Sequence, residues 1–317
     1  MTLNQYDIAR HYGGWRKFLN DDRLYSSLRN GDKKDLFRKY IRHVEIEVFS
    51  FCNRRCPFCA NSYIDRHSGN TLMPPETYSK VIDALAEIDY AGKIWYSRYN
   101  EPLSDRVILD RIREARSKLH KATLNTFTNG DYVTRDYLEE LAKAGLNHIR
   151  IMRYPPTSEE YSEEKSWETL FGFAKKLDLP FQKEWGVSLH LEHPTMDIHI
   201  LGADLKTFVR NRAGSVKTSC SANRTSPCFS PFTNIYIDYN GSVVPCCNVR
   251  SDVPEHNEMV MGNVNEQSIF DIFANFRYSL LRYQMRDFGV KVYPCRVCDN
   301  NGYSFSGQVP QEETKGV

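Results

Sequence analysis

Nine cysteines stand at positions 52, 56, 59, 220, 228, 246, 247, 295 and 298, and their spacing is the first sign of chemistry in this chain. Cys52, Cys56 and Cys59 form a C-x3-C-x2-C run inside Phe51-Cys52-Asn53-Arg54-Arg55-Cys56-Pro57-Phe58-Cys59. Thiolates are soft ligands that suit iron or zinc. Three close cysteines fall one short of a closed structural zinc site. A cubane iron–sulfur cluster on three thiolates keeps one iron open to a substrate or cofactor. Zinc fingers commonly pair C-x2-C units, which this run does not, so the cluster is the better reading.

A second set lies downstream. Cys228, Cys246 and the C-x2-C pair Cys295 and Cys298 supply four thiolates. That is a complete set for a cubane cluster or for a structural zinc. Asn240-Gly241 is a hairpin turn that folds Cys246 back toward Cys228. Cys220 and Cys247 are left over. Cys220 sits in a linker and reads as inert. Cys247 follows a ligand directly, so it lies close to that site, either as a reactive thiol or as a packing residue.

The elements that must position these residues alternate. His43 to Ser50 reads as a strand, and the first cysteine run begins at its end. Helical patterns follow over Pro74–Tyr90, Ser104–Leu119, Tyr132–Ala144 and Glu163–Leu177. Strand patterns lie between them at Lys93–Tyr99, Ala122–Phe127 and Asn147–Met152, with another at Val187–Leu191. Such alternation predicts a parallel sheet in a full or partial barrel, with chemistry at the C-terminal strand ends. Beyond residue 205 the pattern changes to short strands around Asn240-Gly241 and one long helix from Glu266 to Arg286. The expected organisation is a helical extension over 1–40, an α/β unit over 41–210, a small cysteine-bearing domain over 211–302 and a tail over 303–317. Glu184, His190, Glu192, His193, Asp197 and His199 read as polar residues able to orient a polar substrate on a solvated loop rather than as a metal site.

Lys plus Arg number 42 against 40 Asp plus Glu, a net charge of +2, which leaves no footprint for nucleic acid. No apolar run reaches the length of a membrane span. Met1 to Arg16 is polar and has no apolar signal region, so the expectation is a cytoplasmic protein without a disulfide framework.

At these residues the chain resembles the radical S-adenosylmethionine (SAM) superfamily, whose signature is C-x3-C-x-aromatic-C, with Phe58 in the aromatic slot. The resemblance implies a partial (β/α)6 TIM-like barrel, an α/β fold, with a [4Fe–4S] cluster on Cys52, Cys56 and Cys59. The open iron would chelate SAM, and reductive cleavage would give methionine and a 5′-deoxyadenosyl radical. A flavodoxin- or ferredoxin-type protein would supply the electron. Arg98-Tyr99-Asn100-Glu101-Pro102-Leu103 stands where the family carries a Gly-Gly-Glu-Pro-like segment. Glu101 would then meet the SAM ammonium, though Tyr99 and Asn100 replace the glycines. Thr126 to Gly130, with Thr128 and Asn129, resembles the ribose-contacting segment. Arg153, and with it Arg150, would meet the SAM carboxylate or a polar substrate.

The C-terminal set resembles the twitch domain, a shortened SPASM domain. The longer C-x2-C-x5-C-x3-C run is lacking, which implies one auxiliary [4Fe–4S] cluster. Members of this kind in aminoglycoside pathways suggest a carbohydrate or aminocyclitol substrate. The expected reaction is hydrogen-atom abstraction from a carbinol C–H, then epimerisation with Cys247 as donor. The alternative is dehydrogenation, with the auxiliary cluster accepting an electron and a base taking the proton. A peptide-modifying maturase is a further alternative. The segment before Cys52 is short for the leader-binding domain such enzymes often carry.

Overall fold

A computed structural model describes residues 19–26, 30–155, 161–204, 210–217 and 223–300. Cys220, the first 18 residues of the expected extension and the tail from residue 301 lie outside the described residues. One ten-stranded sheet organises the chain, in the order β10-β9-β8-β1-β2-β3-β4-β7-β6-β5. Its centre is parallel: β8 (Asn234–Ile237), β1 (His43–Ile46), β2 (Lys93–Trp95), β3 (Thr123–Thr128), β4 (His148–Arg153) and β7 (Asp197–Gly202). Both margins turn antiparallel, through β6 (Ser188–Leu191) and β5 (Phe181–Lys183) on one side. On the other side they do so through β9 (Ser242–Val244) and β10 (Gly262–Asn263).

The parallel strands are stitched by α2 (Pro75–Glu87), α3 (Val107–Lys118), α4 (Arg135–Ala144) and α5 (Glu163–Leu177), with α1 (Asn30–Tyr40) ahead of β1. Local chemistry sets their ends. Thr134 accepts from the Tyr137 N–H and caps α4, and Gly145, at φ 104°, closes it in the left-handed region. Ser162 caps α5 by accepting from the Lys165 N–H.

The expected α/β sheet with a C-terminal cluster domain is present, but three elements differ from the expectation. The fifth parallel strand is β7, not Val187–Leu191. Both segments alternate apolar and polar residues, yet β7 pairs with β4 in parallel, while β6 is the antiparallel arm that returns the chain. The sixth parallel strand, β8, comes from the cysteine-bearing region and pairs with β1, so the sheet runs through the expected domain boundary. The long helix expected over Glu266–Arg286 is broken into α7 (Ile269–Phe273) and α8 (Phe276–Arg286). Asn275 stops one and caps the other: its side chain accepts from the Tyr278 N–H and donates to the Met261 carbonyl. The four-residue α6 (Ser230–Thr233) leads into β8.

The core is continuous. Phe37 of α1 stands edge-on to Phe270 and Phe273 of α7 at 5.3 and 5.4 Å, so the N-terminal helix packs on the C-terminal domain. Arg282 is fully buried and donates to the carbonyls of Leu24, Pro231 and Phe273, tying three distant segments together.

Candidate active site

The loop after β1 carries the first cysteine set, all three partly exposed. It is shaped by its own backbone: Cys52 N–H bonds Arg66 O at 2.8 Å, Cys59 N–H bonds Cys56 O at 2.9 Å, and a short 3-10 turn follows at Ala60–Ser62. Burial pushes the Cys52 thiol up to about 12 and Cys56 to about 11, and neighbouring thiols and Glu101 add to it. Thiols raised in this way need a cation before they can serve as thiolates.

The ends of β2, β3 and β4 meet this loop. Glu101 is 2% exposed and brackets β2 to β3: its carboxylate accepts from the Thr128 hydroxyl (2.5 Å), the Asn129 N–H (2.8 Å) and the Leu103 N–H (3.1 Å). Burial nevertheless raises Glu101 to about 7. Asn129 donates to Asn53, and Asp131 accepts from Asn53 and Arg54, which fastens the cysteine loop to the β3 turn. Arg153 donates to Asn129 O at 3.1 Å from the end of β4 and lies 3.7 Å from Asp131. Gly130 is at φ +81°, and a Cβ there would meet Ile151 at 2.7 Å, so the turn demands glycine. Phe58 is buried, with its ring 5.0 Å from that of Tyr154. Ser97 Oγ and both amide atoms of Asn100 are buried with no hydrogen-bond partner. Such orphans mark a place where a polar ligand completes the site.

The second set assembles around β9 and the chain's last turn. Cys228 N–H bonds Met285 O of α8 at 2.9 Å, and Cys295 opens a 3-10 turn that ends at Cys298. Cys298 Sγ receives Asn248 Nδ2 at 3.7 Å and Arg224 Nη1 at 4.0 Å. Burial and the neighbouring thiols push Cys295 up to about 12, and raise Cys246 and Cys298 as well. A tetrahedral zinc at about 2.3 Å from each sulfur holds those sulfurs roughly 3.8 Å apart. Among the described residues, the group of three or more possible ligands whose donor atoms all fall within 4.8 Å is His190, Asp197 and His199, and neither cysteine set is one. Neither cysteine set is drawn in to that single-ion spacing, and three plus four thiols are the donor sets that two cubane clusters take.

Two family models match, the radical SAM superfamily over residues 46–152 and the SPASM iron–sulfur cluster-binding domain over residues 228–299. This chain carries a radical SAM domain and a SPASM domain. It is 25% identical over 264 residues to the S-adenosyl-L-methionine-dependent 2-deoxy-scyllo-inosamine dehydrogenase of Niallia circulans, covering 83% of this chain and 94% of that protein. The crystal structure of BtrN in complex with AdoMet and 2-DOIA matches at a TM-score of 0.61 and 25% identity, covering 82% of this chain and 93% of that one. The PqqA peptide cyclase of Bradyrhizobium diazoefficiens is 33% identical over 108 residues, 34% of this chain and 27% of that protein. The protein is a radical SAM enzyme, and its cofactors are SAM and two [4Fe–4S] clusters. The donor sets and the orphaned Ser97 and Asn100 fit them.

Sequence reasoning missed what lies between the radical SAM and SPASM domains. Arg212 is half-buried, feels the charges of Tyr99, Cys247, Cys59 and Tyr154, and keeps its buried Nε without a partner. Tyr99 donates to Cys247 O at 2.8 Å and is flanked by the guanidinium groups of Arg250 (4.2 Å) and Arg98 (5.6 Å). No motif signals Arg212, because it sits on a backbone with φ 48° in a linker. Tyr99, which replaces a family glycine, was the one visible hint.

The exposed face of the sheet leads away from this bridge. His43 stacks on Trp95 at 5.8 Å, Trp95 stacks on Phe127 at 4.5 Å, and exposed Arg150 lies over both rings. Glu45, paired with His43 at 3.1 Å, is among the charges that Cys247 feels. His190, Asp197 and His199 stand on β6 and β7, not on a loop. No helix among the described residues is long and apolar enough to cross a membrane.

Proposed function

We propose that the protein is a radical SAM dehydrogenase that oxidises a carbinol of an aminocyclitol by two electrons. The likeness to the 2-deoxy-scyllo-inosamine dehydrogenase, over 83% of this chain, carries this reading. It displaces the expected epimerase in favour of the alternative reaction. When bound, SAM on its cluster supplies hydrogen-atom abstraction, and the second cluster supplies an electron acceptor. Cys52, Cys56 and Cys59 hold the first, and Cys228, Cys246, Cys295 and Cys298 hold the second. Phe58 and the Glu101-braced segment at Thr128 and Asn129 shape the SAM seat, and Ser97 and Asn100 offer it unmet polar atoms. Arg153 acts on that seat through Asn129. The rings of Trp95 and Phe127 suit the C–H face of a cyclitol, Glu45 suits its amine and Arg150 its hydroxyls. We assign the reductant to a flavodoxin- or ferredoxin-type protein, and the working division of the chain to 41–210 and 211–302.

One observation favours a second outcome. Burial raises the Cys247 thiol, which keeps its hydrogen in place as an epimerase donor requires. The test is anaerobic turnover of the reconstituted enzyme with SAM and 2-deoxy-scyllo-inosamine in deuterated water. A dehydrogenase gives one ketone per 5′-deoxyadenosine, and Cys247→Ala leaves that ratio unchanged. Deuterium in an epimerised product, lost in Cys247→Ala, overturns the dehydrogenase, and so does an absence of substrate-dependent 5′-deoxyadenosine.

A further inference from the structure

We propose that His190, Asp197 and His199 form a binding site for a divalent cation of the zinc class, separate from both clusters. Strands β6 and β7 place His190 directly opposite His199, and Asp197 shares a face with His199 one pleat away. His190 Nε2 lies 3.0 Å and His199 Nε2 2.9 Å from the same atom, Asp197 Oδ1. The three donor atoms all fall within 4.8 Å of one another. Nitrogen and oxygen ligands at about 2.0–2.1 Å from a tetrahedral zinc stand roughly 3.3 Å apart. The two histidine-to-Asp197 distances are a few tenths of an ångström from that spacing, and the two histidines lie within 4.8 Å of each other.

Proton counting leaves room for an ion. His199 faces a carboxylate at each end: Asp197 through Nε2, and Glu184 Oε2 through Nδ1 at 2.9 Å. A neutral imidazole has one N–H and cannot donate to both, so the arrangement calls for either a second ring proton or a cation on one nitrogen. With a cation on Nε2 the single proton stays on Nδ1 and donates to Glu184. Asp197 is backed as well, its Oδ2 2.7 Å from His148 Nδ1. Gln182 Nε2 lies 3.4 Å from His190 Nδ1, and turning that amide would present its oxygen to the ring proton. Ligating histidines held by outer carboxylates or amides are the rule in metal sites. Two imidazoles and a carboxylate suit zinc, and Asp197 with Glu184 balances its charge.

The location argues for a structural role. His148 and Asp197 open β4 and β7, whereas Arg153, at the radical end, closes β4. Five residues of strand span about 16 Å at roughly 3.3 Å each. A cation there clips the antiparallel arm β5–β6 onto the parallel sheet, on the face that also carries Arg150.

The test uses the holoenzyme with both clusters loaded, dialysed against micromolar zinc sulfate and then read by metal analysis and zinc K-edge absorption. The expected result is one zinc per chain in a nitrogen and oxygen shell at about 2.0–2.1 Å, with no sulfur at about 2.3 Å and iron unchanged. The double variant His190→Asn/His199→Asn should lose that zinc and keep its iron. Glu184→Gln keeps all three ligands and should weaken zinc binding about 10- to 100-fold, which decides the matter if the double variant does not fold. No retained zinc, a sulfur shell, full retention in the double variant, or an unchanged affinity in Glu184→Gln where the double variant cannot be read would overturn the site.

Discussion

Glu101 shows how one buried side chain can brace the turn at the end of a neighbouring strand. It spends both carboxylate oxygens on Thr128, Asn129 and Leu103, and burial still lifts it to about 7. A carboxyl raised in the folded state stabilises below its unfolded value, near 4.5, and that contribution is lost as pH climbs through about 7. Glu101→Gln removes the titration. Wild type should therefore lose stability relative to this variant between pH 4.5 and 7, by up to about 3 kcal/mol, in anaerobic denaturation curves at fixed pH. A pH-independent difference would mean that Glu101 stays ionised throughout. Gly130 makes a sharper point. Gly130→Ala forces a left-handed alanine and a clash with Ile151, so it should cost about 1–3 kcal/mol and weaken SAM binding in equilibrium dialysis. The cysteines and the Glu101-Pro102 pair were legible as chemistry because thiolate spacing alone limits what can bind. The bracing role of Glu101 was not, since its partners come from a turn 27 residues away.

At the scale of elements, the errors of a sequence reading fall where two elements share one pattern. Val187–Leu191 and Asp197–Gly202 both alternate, and a period of two cannot say which pairs in parallel. The cost of that ambiguity was the strand that carries Asp197 and His199 taken for a loop. Glu266–Arg286 reads as one amphipathic helix because Ala274-Asn275 offers neither glycine nor proline, yet Asn275 finds the Met261 carbonyl and becomes a cap. Asn275→Ala should cost about 1–2 kcal/mol in thermal unfolding of the holoenzyme. It should also speed iron loss from the second cluster to a chelator, because α8 holds Cys228 through Met285. By contrast α5 and β9 match their expected bounds, since a serine cap and an Asn-Gly turn are local signals that tertiary contacts did not override.

For the whole molecule, the sheet and a set of buried charges make two cluster sites into one machine. β8 of the SPASM domain lies against β1, and the cysteine loop of the radical SAM domain leaves from that same β1. Above this joint Arg98, at the end of β2, meets Asp238, at the end of β8, at 2.5 and 2.9 Å, with both side chains at most 1% exposed. Removing one partner of such a pair strands a charge. Arg98→Met should therefore cost about 3–5 kcal/mol and lower the calorimetric melting point of the holoenzyme by several degrees. Arg98→Met/Asp238→Leu removes both charges and should melt close to wild type. Its activity should nonetheless stay about tenfold or more below wild type. Arg98 also donates to the Val249 carbonyl, next to the Asn248 that bonds the Cys298 sulfur, and its guanidinium flanks Tyr99 above Cys247. That link from the radical end to the second cluster has no apolar substitute. A double variant that is both stable and fully active would reduce the pair to a structural plug and leave the coupling of the two sites to Arg212 and Tyr99.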